Sequence, residues 1–199
     1  PPLVDVVPVQ TAQQMCDAVL ENVKNADALI MAAAVADYRP AESAPQKIKK
    51  NGNDLNITLA KTTDILQAAQ GNFVKVGFAA ESQNLVENAK SKVASKGLDL
   101  IVANDITDAE SGFGTDTNRV SVVDRDLNVE ELPLLTKYDV SNRVLDRVRS
   151  KHLDVLLREI PVGDSRESAV GQAVHVTASK GLHAHRQVLL DGVMDCIPS

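Results

Sequence analysis

Short apolar segments alternate along the chain with amphipathic segments of helical period. The strand-like segments are residues 4–9, 26–34, 55–60, 73–80 and 98–104. The residues between them place apolar side chains three or four positions apart, which is typical of surface helices. Since strands joined by helices form parallel sheets through right-handed crossovers, the pattern predicts an α/β, Rossmann-like fold with a mostly parallel sheet and helices on both faces.

Residues that favour helix ends stand at the borders of the helical segments. Thr11 can cap the first helix, and Thr62 or Thr63 can cap a second helix, which Gly71 ends. Gly97 can close the helix that follows the fourth strand-like segment. These signals support the alternation of strands and helices.

The alternation stops in the second half of the chain. Residues 118–134 predict two strands around a short turn, a β-hairpin, and a long helical segment follows from residue 137. All four histidines lie beyond residue 150, in a stretch with no Phe, Tyr or Trp and no strand-helix rhythm. The sequence therefore predicts one α/β domain over 1–150 and an extension over 151–199 that is partly helical and then weakly ordered.

Charge and aromatic content exclude several classes of protein. The net charge is −6, so the basic field of a dedicated nucleic-acid-binding protein is missing. Aromatic residues make up 3% of the chain, too few for a platform that stacks bases. The longest apolar run, residues 28–36, is far shorter than the roughly 20 residues of a membrane-spanning helix. Two distant cysteines and the lack of a leader pattern at the start favour a reducing, cytoplasmic location.

The common motifs for phosphate binding, such as G-x-G-x-x-G and the Walker A loop, are missing from the sequence. Ligands of open α/β sheets bind beyond the carboxyl ends of the strands, and Asp37 follows such a strand. Lys47, Lys49 and Lys50 come next, on a proline-containing segment, and form a basic patch suited to a polyphosphate. A solvated surface loop explains the same lysines, and for this segment alone it is the commoner case.

Two further places could bind an anion. Lys92 and Lys96 are one helical turn apart, so they share a face on which like charges repel unless an anion lies between them. Contact of the two lysine stems with an apolar edge explains this spacing equally well. Thr63 and Asp64 stand at a helix start, where free backbone N–H groups attract anions, although simple capping is the better explanation of these two residues alone.

Five further residues are weaker candidates for contact with a ligand or a metal ion. Phe78 could stack on a base at the end of its strand, but a residue of this kind is more often part of the core. Asn104 and Asp105 could orient a ligand, although they more commonly begin an Asx turn. His183 and His185 could bind a metal ion, but two ligands lack a third, and we predict no metal site built from side chains.

Six segments stand in a characteristic order and spacing. They read AAAVADYRP, KIKK, TDIL, VGFAAES, AKSKVASKGLDLIVAND and GFGTDTNRV. Together they resemble the phosphopantothenoylcysteine synthetase, or phosphopantothenate–cysteine ligase, family, and the similarity covers about residues 3 to 150. The bacterial form of this family is usually fused behind a flavin-dependent decarboxylase in a bifunctional protein of coenzyme A biosynthesis.

The resemblance implies a ligase that joins 4'-phosphopantothenate to cysteine. CTP would activate the carboxylate as an acyl-cytidylate with release of pyrophosphate, and the cysteine amine would then displace CMP. Mg²⁺ would bind mainly through the substrate phosphates. Family members dimerise, and we expect a homodimer formed through the 118–134 hairpin, because an exposed two-stranded ribbon invites pairing.

The resemblance also assigns roles to matching positions of this chain. Lys47 would contact phosphates and act at the activated intermediate, as the catalytic residue. Lys92 and Lys96 would hold the triphosphate, and Phe78 would pack on the base. The other positions expected to lie against the nucleotide are Met31, Ala32, Ala33, Asp37, Thr63, Asp64, Ile65 and Leu66.

The chain departs from the family at its beginning. Family members open with a glycine-rich strand-turn-helix segment that has no match here, so we expect the first βαβ portion to be missing and the chain alone to have little ligase activity. Two other interpretations stay open. One is a nicotinamide-dependent Rossmann-type reductase, which shares the alternation, and the other is a non-catalytic nucleotide-binding regulatory module.

Overall fold

The structure, a computed structural model, describes residues 4–42, 46, 55–108, 110–111 and 114–157. Its strands are β1 (Ala28–Met31), β2 (Tyr38–Pro40), β3 (Leu59–Lys61), β4 (Val74–Glu81), β5 (Leu100–Asp105), β6 (Thr117–Asn118), β7 (Val120–Asp124), β8 (Val129–Glu131) and β9 (Leu135–Thr136). Its α-helices are α1 (Ala12–Asn22), α2 (Ile65–Ala68), α3 (Leu85–Lys96) and α4 (Lys137–Leu157).

Five strands form the central sheet in the order β1-β4-β5-β7-β8. The pairs β1–β4 and β4–β5 are parallel, whereas β5–β7 and β7–β8 are antiparallel. The strands β2 and β3 form a separate antiparallel ribbon, and β6 pairs with β9. The predicted Rossmann-like α/β fold is therefore confirmed. The predicted hairpin around residue 126 is the β7–β8 pair, but the expectation of an exposed two-stranded ribbon is wrong, because β7 pairs with β5 inside the central sheet.

Side chains of the central sheet alternate between two hydrophobic cores. On one face, Leu29 of β1 and Ala79 of β4 pack with Val93 of α3. On the other face, Val76 of β4 packs in a second cluster with Val144 of α4. Helices thus cover both faces of the sheet, as the sequence predicts.

Local sequence signals set the ends of the helices that flank the sheet. Thr11 caps α1 as predicted, in a capping box: its hydroxyl accepts the Gln14 N–H, and the Gln14 side chain accepts the Thr11 N–H. Helix α3 ends at Lys96, and its C-cap is Gly97, which adopts the left-handed conformation at φ +61°.

Two predicted strands differ from the structure. Residues 4–9 form no strand, because they are not part of a β-ladder in the described part of the chain. The segment predicted at 55–60 contributes only β3 (Leu59–Lys61), which pairs with β2 outside the central sheet. Strand propensity identified an extended segment there but could not identify its partner.

The second helix is also shorter than predicted, and a different residue caps it. Asp64 is the N-cap, since its side chain accepts the Gln67 N–H at 3.2 Å. The assignment of the cap to Thr62 or Thr63 is wrong, whereas the simple capping role considered for Asp64 is confirmed. The helix ends at Ala68, before the predicted end at Gly71. All three residues are capping types, and local sequence alone does not decide which of them takes the position.

Helix α4 runs without a break through residue 150, the predicted domain border. Its Lys151 contacts Asp124 of β7 at 3.5 Å, and Val155 is fully buried. The division at 150 stays a prediction. Residues 158–199, which include His183 and His185, lie outside the described residues.

Replacing Gly97 with Ala is expected to lower the unfolding free energy by about 1 kcal/mol. A built Cβ at residue 97 would meet nothing within 4 Å, so the whole cost would come from the left-handed backbone. Urea denaturation measures this loss. Gly97→Asn is the matched control and should lose less, because Asn tolerates that conformation. Equal losses for the two variants would contradict the explanation.

Candidate functional site

The segment after β1 and the segment after β3 lie side by side. The Asp37 carbonyl accepts the Thr62 N–H at 2.8 Å, next to the ladder that pairs Tyr38 with Lys61. Asp37 is exposed. The hydroxyl oxygen of Thr62 is buried and has no hydrogen-bond partner within the described residues. The structure thus brings two of the predicted nucleotide segments together.

Helix α3 adds a third segment to this group. The Lys96 ammonium contacts an Asp64 carboxylate oxygen at 2.9 Å, and both side chains are 30% exposed. The other Asp64 oxygen caps helix α2 through the Gln67 N–H. Two residues predicted independently as anion contacts therefore meet directly. In this structure Asp64 is both a cap and the partner of a lysine.

Lys92, one turn earlier on α3, reaches the carboxyl end of β4. Its ammonium contacts a Glu81 carboxylate oxygen at 2.6 Å, and the second oxygen accepts the Asn88 side-chain amide at 3.0 Å. The Glu81 carbonyl also accepts the Ile106 N–H at 3.0 Å. Lys92 and Lys96 share one face of α3, as predicted, and each is balanced by its own carboxylate.

Both carboxylates have a lowered pKa. Burial alone would raise the pKa of Asp64, but the hydrogen bonds from Lys96 and the Gln67 N–H together hold it below its usual value. Burial would likewise raise the pKa of Glu81, whereas the hydrogen bonds from Lys92 and Asn88 hold it below the usual range. Both groups are therefore charged at neutral pH and keep the two ammonium groups in place.

The free energy of unfolding is expected to fall as the pH is lowered below about 4, the usual range of a carboxyl. A carboxyl with a lowered pKa stabilises the folded state above its unfolded pKa, and this stabilisation is lost as the pH falls through the folded pKa. Glu81→Gln should flatten that fall by at most about 1.4 kcal/mol per pH unit, the value for one proton. Urea denaturation from pH 7 to pH 3 measures it.

Glu87→Gln is the control for this pH series, because Glu87 is exposed in the first turn of the same helix. It shows how much of any change comes from removing an exposed carboxylate of the same helix. A Glu81→Gln curve parallel to that of the unsubstituted chain would contradict the role of this carboxyl.

Several predicted nucleotide residues have side chains that belong to the core. Met31, Ile65 and Leu66 are buried in the cluster on the α3 face, and Ala33 packs against it. Met31, Ile65 and Leu66 therefore offer little exposed surface for contact with a ligand. Thr63, in contrast, is exposed.

Phe78 lies on the face of the sheet opposite to the two lysines. It is partly buried and packs in the cluster that includes Val76 and the α4 residues. The structure thus does not bring Phe78 together with Lys92 and Lys96, and its contact with a base stays a prediction. The predicted catalytic residue Lys47 lies outside the described residues, with Lys49 and Lys50.

Two residues of this region, Glu81 and Lys75, were not among the predicted site residues. Glu81 ends a buried strand, and a carboxylate at such a position was a usable signal. Lys75 is 7% exposed, and its ammonium donates to the Leu66 carbonyl at 3.0 Å. Burial is the main cause that lowers the pKa of Lys75. A lysine inside a strand gives no such signal in the sequence.

At the end of β5, Asp105 forms a local turn. Its side chain accepts the Thr107 N–H at 2.7 Å and the Thr107 hydroxyl at 2.6 Å, and these bonds lower the pKa of the exposed Asp105 carboxyl. Asp105 therefore forms an Asx turn, which is the commoner of the two predicted alternatives, the other being orientation of a ligand.

Neither a metal-binding cluster of side chains nor a membrane-spanning helix is found in the described part of the chain. No group of three or more His, Cys, Asp or Glu side chains in that part is placed to hold a metal ion. None of its helices combines the length and the apolar character that a membrane crossing requires.

Comparison with known proteins gives a consistent result. The family model described as "DNA/pantothenate metabolism flavoprotein C-terminal domain" matches residues 1–152. The coenzyme A biosynthesis bifunctional protein CoaBC of Bacillus subtilis (strain 168) is 40% identical over 149 residues, which cover 73% of this chain and 37% of that protein. The CoaBC protein of Escherichia coli (strain K12) is 38% identical over 159 residues, covering 76% of this chain and 39% of the relative.

A solved structure also matches the fold. It is the crystal structure of the C-terminal domain of a coenzyme A biosynthesis bifunctional protein CoaBC, with a TM-score of 0.62 and 37% sequence identity. The match covers 77% of this chain and 71% of that structure. The chain spans about two fifths of the length of the curated relatives described above.

Proposed function

Because the chain belongs to the DNA/pantothenate metabolism flavoprotein C-terminal domain family, we propose that it is a phosphopantothenate–cysteine ligase of coenzyme A biosynthesis. The reaction joins 4'-phosphopantothenate and cysteine to form phosphopantothenoylcysteine. CTP is the proposed co-substrate, and CMP and pyrophosphate are the proposed by-products. The two curated relatives are named for coenzyme A biosynthesis, and the chain matches part of each.

One observation carries the proposal: three separate segments predicted to bind the nucleotide contact one another. The Lys96–Asp64 ion pair joins α3 to the start of α2, and the Thr62–Asp37 hydrogen bond joins that start to the segment after β1. The positive groups at this junction are Lys92 and Lys96 of α3, and ammonium groups form strong charge-assisted hydrogen bonds to phosphate. This arrangement supports a nucleotide site beside α3.

In the proposed reaction, the main role of the protein is to supply positive charge. The 4'-phosphopantothenate carboxylate attacks the α-phosphate of CTP, which brings two anions together, and negative charge then develops on the pyrophosphate that leaves. Lys92 and Lys96 hold the triphosphate and offset this charge, while Lys47 acts at the acyl-cytidylate. The cysteine amine next attacks the acyl carbonyl and displaces CMP. No nucleophile from the protein is required.

The residues beside the two lysines are compatible with Mg²⁺ that arrives with the triphosphate. Asp64 and Glu81, the carboxylates bonded to these lysines, are already engaged at both oxygens. Mg²⁺ is commonly held through substrate phosphates and water rather than by an all-protein cage. The bound ion would supply charge neutralisation on the phosphates.

Release of pyrophosphate tests the function. The chain is mixed with CTP, Mg²⁺, 4'-phosphopantothenate and cysteine, and both pyrophosphate and phosphopantothenoylcysteine are measured. A thermal-shift series accompanies the assay and reports nucleotide binding separately from turnover. CTP should raise the melting temperature and NADPH should not. Protection by NADPH alone would favour a reductase, and protection by neither nucleotide together with no turnover would contradict the proposal.

We also propose that the active form is a homodimer that pairs through residues 118–134. The strand β8 is an edge of the central sheet, and Val129 on this strand is 37% exposed. Exposed edges of this kind favour pairing with another chain. Sedimentation should show a dimer, and a monomer at high concentration would contradict this assignment.

Two further expectations accompany the ligase assignment. The chain is proposed to act in the cytoplasm. A flavin-dependent decarboxylase is its expected partner, either fused in one polypeptide or associated with it. Co-purification of a separate flavin-containing protein would support association rather than fusion.

A further inference from the structure

Glu81 is held more firmly than an ordinary surface carboxylate. Its side chain is 14% exposed, and its backbone continues the β4–β5 ladder, with Asp105 as the register partner. The Glu81 carbonyl accepts the Ile106 N–H, and one carboxylate oxygen accepts the Asn88 amide. The remaining oxygen is thereby aimed at Lys92, at 2.6 Å.

Lys92 keeps binding capacity while it contacts Glu81. An ammonium group has three donors, and Glu81 is the partner that the structure gives to one of them. The side chain of Lys92 is 41% exposed, so a ligand from solvent can reach it while it contacts Glu81. Lys92 can therefore bind a phosphate oxygen without releasing the carboxylate.

The two carboxylates also reduce the electrostatic repulsion between Lys92 and Lys96. Lys92 and Lys96 stand at i and i+4, a spacing at which two positive charges repel. Separate carboxylates, Glu81 and Asp64, balance them before any anion arrives. Asp64 divides its two oxygens between Lys96 and the cap of α2. Glu81 caps no helix in the described structure. The effect of its fixed carboxylate oxygen is therefore to orient Lys92.

On this geometry we propose that Glu81 is a positioning residue that holds the Lys92 ammonium in place for the triphosphate. The inference rests on the proposed function, because it presumes that Lys92 binds the nucleotide. Glu81 itself touches no phosphate, since two anions would repel. Its effect passes through Lys92, whose long stem would otherwise sample many rotamers.

A double-mutant cycle on the 199-residue chain tests this role. The dissociation constant of CTP with Mg²⁺ is measured by calorimetry for the unsubstituted chain, Glu81→Gln, Lys92→Met and the double variant. Glu81→Gln should weaken CTP binding about fivefold when Lys92 is present, and by less than about twofold in the Lys92→Met background. Such non-additivity is the signature of one residue that acts through another. A purely structural role of Glu81 would weaken binding equally in both backgrounds.

Glu87→Gln serves as the matched control and should bind CTP like the unsubstituted chain. Circular dichroism checks that each variant is folded. Equal weakening by Glu81→Gln in both backgrounds, or tighter binding in the single variant, would overturn the positioning role while leaving the proposed function intact. An unsubstituted chain that binds no CTP would overturn the proposed function and this inference with it.

Discussion

Asp99→Ala is expected to lower the unfolding free energy by about 3 kcal/mol, the largest effect on stability that we predict. Asp99 is 1% exposed and stands between two leucines with the same burial. One carboxylate oxygen accepts the Lys75 N–H at 2.8 Å, and the other contacts the Arg125 side chain at 3.1 Å. Removal of this carboxylate leaves the buried Lys75 N–H without its acceptor and takes away the negative charge nearest to the buried Lys75 ammonium, which keeps its hydrogen bond to the Leu66 carbonyl.

Thermal and urea denaturation measure the loss at Asp99. A destabilisation of this size should lower the melting temperature by roughly 10 °C. Asp126→Ala is the control, because its side chain is 73% exposed in the adjacent hairpin and its loss should stay within about 0.5 kcal/mol. Asp99→Asn should fall between the two, since an amide oxygen can still accept the Lys75 N–H. A loss below about 1 kcal/mol for Asp99→Ala would show that the buried carboxylate is not needed.

Lys92→Ala and Lys96→Ala are each expected to weaken CTP binding by tenfold to about a hundredfold. Hydrogen bonds to charged groups contribute about 1.5 to 3 kcal/mol, and each lysine is proposed to make at least one such contact to the triphosphate. Calorimetry at constant ionic strength measures the affinity, because phosphate contacts are sensitive to salt.

Lys90→Ala is the matched control for the two lysine variants. Lys90 is on the same helix, two residues from Lys92, and therefore on a different face. It should leave CTP affinity within about twofold, the scatter expected of a substitution outside the contact. If all three variants bind CTP equally, α3 does not carry the triphosphate contacts.

The parts of the fold that the sequence predicts well are those with strong local signals. The continuous apolar runs correspond to β1, β4 and β5, and the capping box at Thr11 begins α1. Residues 4–9 and the 55–60 segment have strand propensity as well, but strand formation depends on a partner that lies elsewhere in the chain. Pairing is a tertiary property, and a single segment does not encode it.

The candidate site shows the same division between local and tertiary information. The spacing of Lys92 and Lys96 correctly predicts that they share a face of α3. The carboxylates that hold them come from β4 and from the start of α2, and only the folded chain brings Glu81 and Asp64 within ion-pair distance. Phe78, in contrast, is separated from the two lysines by the fold, because the alternation of side chains along β4 places it in the opposite core.

The separation of the two cores by the central sheet has a practical consequence for engineering. Leu145 on α4 is 39% exposed, whereas α3 packs across the sheet from this helix. A fluorescent dye or an immobilisation tag could be attached at residue 145 with the whole sheet between it and the two lysines. The α4 side is therefore suited to labelling or immobilisation for single-molecule and surface-based measurements.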